Sequence, residues 1–162
     1  MNITKNNLDF SVLQSAGSDD GYGSNVENIE IHESSNTIYF LTNGSVYQTG
    51  INSSSATFVD NLVKNFIIQG DTMCLIKNNI SAGGNDELVF GPLDVSGNFT
   101  PTNSFSLLKQ FTDPPQLIIS PSDNKLHLFD RGVSPQRQFI GDPFNSMTNS
   151  STVSSAIYAA PT

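Results

Sequence analysis

The sequence predicts an all-β protein built from antiparallel hairpin repeats, with negligible helix. Residues 34–50 contain two runs of β-favouring residues joined by Asn43-Gly44, a pair that supplies the positive φ angles of a type I′ turn. A strand, a polar turn and a second strand recur in the same order at 65–79 and again at 116–132. Helical spacing is not convincing anywhere, and residues 60–66 would give at most one or two turns.

The first hairpin is specific enough to predict its register. Residues 37–42 alternate apolar side chains on both faces, which is typical of an inner strand that is covered on two sides. A two-residue turn then places Leu41 opposite Val46 and Phe40 opposite Tyr47. Upstream, residues 28–34 alternate Ile29 and Ile31 with polar residues and predict the strand that precedes this hairpin.

The repeats begin near residues 28, 65 and 116, which is close to the spacing of four-stranded units. Residues 87–101 predict a further outer hairpin, with its turn at Ser96-Gly97-Asn98. Over roughly residues 25–140, paired inner strands followed by a shorter outer hairpin resemble the blades of a β-propeller. About three such blades would be present, and three are too few to close a ring. The hairpins therefore either form propeller-like blades that other subunits complete, or they pack as a β-sandwich.

The two ends of the chain differ from its middle. Residues 1–24 include a loop rich in Gly, Ser and Asp, and we expect an N-terminal arm there. Residues 25–140 are expected to form the all-β domain. Residues 141–162 predict an extended, polar C-terminal arm with sparse apolar anchors, and we expect a neighbouring subunit to hold it.

Composition excludes several classes of partner. The chain has 162 residues, a net charge of −8 and only 14% charged residues. An acidic protein repels phosphate backbones and anionic lipid, so we expect neither a nucleic-acid nor a membrane partner. One cysteine, Cys74, allows no internal disulfide, and its apolar neighbours predict a buried thiol. The N-terminus lacks the apolar core of a signal peptide and no apolar run is long enough to span a bilayer, so we expect synthesis in a host cytoplasm.

The sequence suggests no catalytic, cofactor or metal site. Serines are abundant, but the Gly-x-Ser-x-Gly elbow is absent, and only His32 and His127 could act as bases. The residues that zinc, calcium or a nucleotide phosphate would need do not occur at the required spacing. We therefore expect a protein that is not an enzyme and carries no cofactor. The side chains that we expect to make contacts with other subunits are Phe144, Ile157, Tyr158, Arg131 and Arg137.

The chain resembles virion and phage surface proteins in being rich in Asn, Ser and Thr, nearly free of cysteine, all-β and extended at one end. The resemblance implies a non-enzymatic structural subunit of a virion, such as a capsid decoration, minor capsid or tail-associated protein. Such a subunit would form homo-oligomers and bind other virion subunits through sheet faces and arms. The alternative is an oligomeric, lectin-like module that binds carbohydrate through Tyr22, Tyr39 or Tyr47 beside Asn and Asp side chains.

Overall fold

The computed structural model describes residues 26–78, 84–107, 110–119, 126–130, 137–141 and 154–157. They form three four-stranded antiparallel sheets, and the strands of each sheet follow one another in chain order. The all-β, antiparallel prediction is confirmed. The first sheet contains β1 (Val26–His32), β2 (Thr37–Thr42), β3 (Ser45–Gly50) and β4 (Thr57–Asn61). The second contains β5 (Val63–Gln69), β6 (Thr72–Asn78), β7 (Asp86–Pro92) and β8 (Asn103–Ser106), and the third contains β9 (Gln116–Ile119), β10 (Leu126–Asp130), β11 (Arg137–Gly141) and β12 (Ser154–Ile157).

The hairpin between β2 and β3 has the predicted strands, turn and register. Asn43 and Gly44 have φ angles of 49° and 72°, which the type I′ turn requires. Leu41 pairs with Val46 and Phe40 pairs with Tyr47. Every residue of β2 is buried, as expected for a strand covered on both faces.

The chain passes from the first sheet to the second through a single residue. Leu62 lies between β4 and β5 and has a φ of 57°, a conformation that L-residues seldom adopt. Its carbonyl accepts a hydrogen bond from the backbone of Asn78, and the neighbouring Val63 donates to Gly44. Residues 60–66, which could have formed one or two helical turns, therefore belong to strands on either side of this sharp bend. Within the described ranges, helical structure is limited to a 3-10 turn at Glu33–Ser35.

The predicted outer hairpin exists, but its second strand starts later than expected. β7 pairs with β8, whereas Leu93 and Phe99 meet only in an isolated bridge. Between them Asp94 accepts backbone hydrogen bonds from Ser96 and Asn98 and closes a compact loop. The carboxylate thus uses N–H groups that would otherwise extend the β-ladder.

The three sheets stack face to face, with the second sheet in the middle. Its first strand, β5, contacts β1 of the first sheet and β9 of the third. Each sheet has the strand order of a propeller blade, while face-to-face stacking is also the packing of a sandwich. The predicted C-terminal arm, 141–162, contains β12, which pairs with β11 in the third sheet.

None of the described residues form a helix with the length and apolar character needed to cross a bilayer.

Candidate functional site

The candidate site is the set of apolar sheet faces that stack on one another. We call the face of a sheet that is turned towards the preceding sheet its leading face, and the opposite face its trailing face. For the first sheet, the trailing face is the one that contacts the second sheet. The trailing face of the first sheet and the leading face of the second share one core, formed by Tyr39, Leu41, Val46, Val63, Phe66, Met73, Leu75, Val89 and Leu93. The trailing face of the second sheet and the leading face of the third share another, formed by Cys74, Ile76, Leu88, Phe90, Leu107, Phe111, Leu117, Leu126 and Leu128.

An asparagine on the first strand of a sheet links that sheet to the next one. The Asn28 side-chain amide donates to Asn65 Oδ1 at 3.0 Å and to the Phe66 carbonyl at 2.7 Å. One sheet further on, the Asn65 amide donates to the Pro115 carbonyl at 2.8 Å, next to the start of β9. Both asparagines follow a register shift in their strand, after Val26 and Val63 respectively. A bulge turns the side chain that follows it, and here it directs each amide across to the neighbouring sheet.

The leading face of the first sheet carries a continuous apolar row that crosses all four strands. Ile29 pairs with Phe40, Phe40 with Tyr47, and Tyr47 with Phe58, so the four side chains lie on one face. The rings of Phe40 and Tyr47 stack with centroids 5.6 Å apart, and Tyr47 meets Phe58 edge-on at 5.8 Å. Phe40 is buried, whereas Phe58 on the edge strand is 54% exposed. The row therefore presents its exposed end at β4.

The trailing face of the third sheet also carries apolar side chains. Ile118 on β9 pairs with His127 on β10, and both alternate with the core residues Leu117 and Leu128. The rings of His127 and Phe129 stack at 6.4 Å. Ile118 is 41% exposed, so this face presents apolar surface on the side away from the second sheet.

A buried histidine joins the first sheet to the turn between β5 and β6. His32 Nε2 lies 2.9 Å from Asp71 Oδ1, and His32 Nδ1 lies 2.6 Å from Ser35 Oγ. The hydrogen bond from His32 is the main cause that lowers the pKa of the exposed Asp71 carboxyl, and the hydrogen bond from Ser34 lowers it further. A carboxylate on the second sheet is thus held as a charged acceptor for an imidazole on the first.

This Ser–His–Asp arrangement has the order of a catalytic triad, but its serine is enclosed. The Ser35 hydroxyl donates to Thr37 Oγ1 at 2.8 Å. A Cβ placed on Gly97 would lie only 2.8 Å from Ser35 Oγ, so the Gly97 backbone closes the approach to that hydroxyl. A nucleophile needs space for a carbonyl carbon about 3 Å away. We therefore assign this network to joining the first and second sheets.

The loop that encloses the serine is itself tightly held. Asp94 accepts from the Asn98 side-chain amide at 3.0 Å and from the Asn98 and Ser96 backbone, each at 2.8 Å. These bonds, first among them the one from the Asn98 amide, lower the pKa of the Asp94 carboxyl. The Tyr39 hydroxyl donates to the Gly97 carbonyl, and burial raises the pKa of that hydroxyl. The loop thus caps the first sheet and is fixed to it through Tyr39.

A buried ion pair fixes the segment that leads to the third sheet. Asp86 is fully buried and accepts from Lys64 Nζ at 2.8 Å and from the Phe111 backbone at 2.8 Å. Lys64 also donates to the Phe111 carbonyl. The Asp86 carbonyl accepts from the Leu107 backbone. Because Phe111 belongs to the core between the second and third sheets, this pair supports their packing.

The residues that we expected to contact other subunits are only partly described. Arg137 lies in β11 and Ile157 in β12, where the two are paired in register. Phe144, Tyr158 and Arg131 lie outside the described residues.

The structure also places two of the three tyrosines that a carbohydrate site would use. Tyr39 is fully buried in the core and Tyr47 is part of the aromatic row, while Tyr22 lies outside the described residues. Across the part of the chain that is described, no three His, Cys, Asp or Glu residues cluster in a way that could hold a metal ion.

Sequence reasoning missed the linking asparagines, although a signal for them is present. The sequence of β1 is VENIEIH and that of β5 is VKNFIIQ, so Val, Asn and Ile recur at the same spacing. Aligning the repeats on this pattern, and not on the hairpin turns, would have singled out Asn28 and Asn65.

No protein-family model matches the chain, and no curated protein matches it either.

Proposed function

We propose that this protein is a non-enzymatic structural subunit of a virion, a capsid decoration, minor capsid or tail-associated protein that acts through contacts with other subunits. The observation that carries the proposal is the exposure of large apolar side chains at the two ends of the stack. On the first sheet Phe58 is 54% exposed at the end of a row whose middle is buried within the chain, and on the third sheet Ile118 is 41% exposed. Apolar surface exposed at an end of the stack supports contact with another protein.

The composition supports the same assignment. The acidic chain, with a net charge of −8, keeps an Asn/Ser/Thr-rich surface soluble without disulfides, as many virion surface proteins do. The side chains that would contact neighbouring subunits are the five that the sequence predicts, namely Phe144, Tyr158, Arg131, Ile157 and Arg137. Their substitution should reduce incorporation and leave the stacked sheets intact.

The experiment is quantitative mass spectrometry of the purified virions to which the chain is proposed to belong. The proposal predicts this chain at a fixed copy number per particle, maintained through density-gradient purification. A second arm of the experiment compares Phe144→Ala and Tyr158→Ala with the wild type for incorporation, using circular dichroism to confirm folding. Truncation at residue 141 is less informative, because it would also remove β12 from the third sheet. Absence of the chain from the particles would overturn the proposal.

A further inference from the structure

We propose that Asn43 is a deamidation site of the folded chain, at which the Gly44 nitrogen attacks the Asn43 side chain, and that the product loosens the contact between the first and second sheets. The inference does not depend on the proposed function, because it concerns the chemistry of the turn between β2 and β3. Asn43-Gly44 is the one place in the sequence where glycine follows asparagine.

The reaction needs only water and the groups of the turn itself. The backbone nitrogen of Gly44 forms a bond to Cγ of Asn43, and the bond from Cγ to Nδ2 breaks. The proton of the Gly44 nitrogen and the side-chain NH₂ group leave together as ammonia, and a five-membered succinimide ring remains. Water then opens the ring at one of its two carbonyls and gives either aspartate or isoaspartate, in which the main chain runs through Cβ and Cγ. The oxidation state does not change, so the reaction requires no oxidant or reductant.

The turn is one peptide rotation away from the geometry that closes this ring. Asn43 and Gly44 have φ angles of 49° and 72°, as a type I′ turn requires. In a type II′ turn the first central residue keeps its positive φ but has a ψ of about −120°. For an L-residue this ψ brings the following nitrogen into line with Cβ, where it can reach Cγ. Conversion to type II′ also makes the φ of Gly44 negative, which glycine adopts as readily as a positive value.

The peptide unit that has to rotate is not held by the hydrogen bonds that fix the turn. It consists of the Asn43 carbonyl and the Gly44 N–H, and the β-ladder resumes at the two residues that flank the turn. The turn is fixed through its other two groups: the Asn43 N–H donates to Glu27 Oε1, and the Gly44 carbonyl accepts from the Val63 backbone. Asn43 is exposed, so water reaches its side chain. The rotation therefore leaves the hairpin and its ties in place.

Asn36 is a matched comparison within the same chain. It is also exposed, and its φ of 53° is close to that of Asn43. Its successor is the buried Thr37, whose Cβ hinders an attack by the backbone nitrogen. The Asn36 carbonyl accepts from the Ile51 backbone at 3.3 Å, which holds the peptide unit that would have to rotate. The two asparagines thus share their exposure and φ and differ in what the reaction needs.

The product changes a turn that also ties the first sheet to the second. Aspartate and isoaspartate each place a negative charge at position 43, beside the Glu27 carboxylate that accepts from the Asn43 N–H at 3.2 Å. Isoaspartate also lengthens the main chain of a two-residue turn by one atom, and the length of the turn sets the register of the hairpin. The Gly44 carbonyl accepts at 2.9 Å from Val63, the first residue of β5 in the second sheet. The modified chain should therefore be less stable than the intact one.

The test follows the full chain through incubation in warm, mildly alkaline buffer, by peptide mapping with mass spectrometry. Deamidation appears as the small mass increase from an amide to a carboxyl, and isoaspartate as a second product of the same mass that elutes separately. Asn43 should react at least about tenfold faster than Asn36, which corresponds to a barrier that is lower by about 1.4 kcal/mol. The rate should rise with pH, because the Gly44 nitrogen attacks after losing its proton.

The matched control variant is Asn43→Gly, which suits a type I′ turn and removes the reacting amide. After the same incubation, the wild type should melt at least about 2 °C below a fresh sample, which is the shift that the loss of one hydrogen bond produces in a chain of this size. The Asn43→Gly variant should keep its melting temperature.

Each outcome decides the inference. Equal rates at Asn43 and Asn36, or a faster reaction at another described asparagine, overturns the site. A wild type that is deamidated at Asn43 and keeps its melting temperature overturns the link between the turn and the second sheet. If Asn43→Gly does not fold, the comparison of Asn43 with Asn36 and of fresh with incubated wild type decides both points without it.

Discussion

Replacing Asn65 by Ala should weaken the contacts between all three sheets. The side chain of Asn65 takes part in three hydrogen bonds, accepting from Asn28 and from the Phe66 backbone and donating to the Pro115 carbonyl. A hydrogen bond contributes about 0.5–1.5 kcal/mol net, and a partner that is left buried and unpaired costs more. In the variant, the Asn28 amide keeps its hydrogen bond to the Phe66 carbonyl, whereas the Pro115 carbonyl loses the hydrogen bond that it accepts from Asn65. We therefore expect a loss of about 2–3 kcal/mol in the free energy of unfolding.

Urea denaturation followed by far-UV circular dichroism measures this loss. The denaturation midpoint should fall with an unchanged slope, and the melting temperature should drop by roughly 4–12 °C for a domain of this size. The control is Asn103→Ala in β8, an exposed asparagine whose replacement should change stability by no more than about 0.5 kcal/mol. A double-mutant cycle with Asn28→Ala should show a coupling of about 0.5–1.5 kcal/mol, because the two side chains share one bond. Equal effects of Asn65→Ala and Asn103→Ala, or a coupling of zero, would refute the link between sheets.

Three further changes probe the contacts that hold the stack. Asp86→Ala leaves the ammonium of Lys64 without its buried partner and should lower the free energy of unfolding, measured by urea denaturation, by about 3–5 kcal/mol. Replacing both residues by apolar ones should recover only part of this loss, because the Phe111 N–H and carbonyl also lose their partners, and no recovery would contradict the assignment. Gly70→Ala should lower the free energy of unfolding by about 1–2 kcal/mol because the φ of Gly70 is positive. Gly97→Ala should lower it clearly more, since the added Cβ would also meet three side-chain oxygens. Equal losses for the two variants would show that the loop does not pack there as described. The hydrogen bonds that lower the pKa of Asp94 stabilise the fold above the ordinary pKa of about 3.9, and this contribution disappears as the pH falls through the lower, folded-state pKa. Asp94→Asn should therefore be less stable than the wild type at neutral pH and equally stable in acid, and a difference that persists in acid would contradict the cause given for the shift.

The pair of strands that opens each sheet could be predicted because its signals are local. Asn43-Gly44 fixes a two-residue turn, and the turn then fixes the pairing of Leu41 with Val46. The starts of the three sheets could be predicted for the same reason, because each sheet begins with a short apolar strand followed by a polar turn.

The contacts between sheets could not be predicted in the same way, because they join residues that are far apart in the chain. Asn28 and Asn65 meet across 37 positions, and His32 and Asp71 across 39. Hydrophobic periodicity reports which face of a strand is apolar, and it does not report which other sheet covers that face. The partner of His32 on the second sheet leaves no mark in the sequence around it.

The most direct test of the stacking of the sheets is a nuclear Overhauser effect between two side-chain amides. The Asn28 amide on the first sheet donates to Asn65 Oδ1 on the second at 3.0 Å, which brings the amide protons of the two side chains close together. We predict a cross-peak between these protons in the NMR spectrum of the full chain, and Asn28→Ala, which removes one partner, should abolish it. Assigned side-chain amide resonances of Asn28 and Asn65 that show no cross-peak would contradict the stacking of the first sheet on the second.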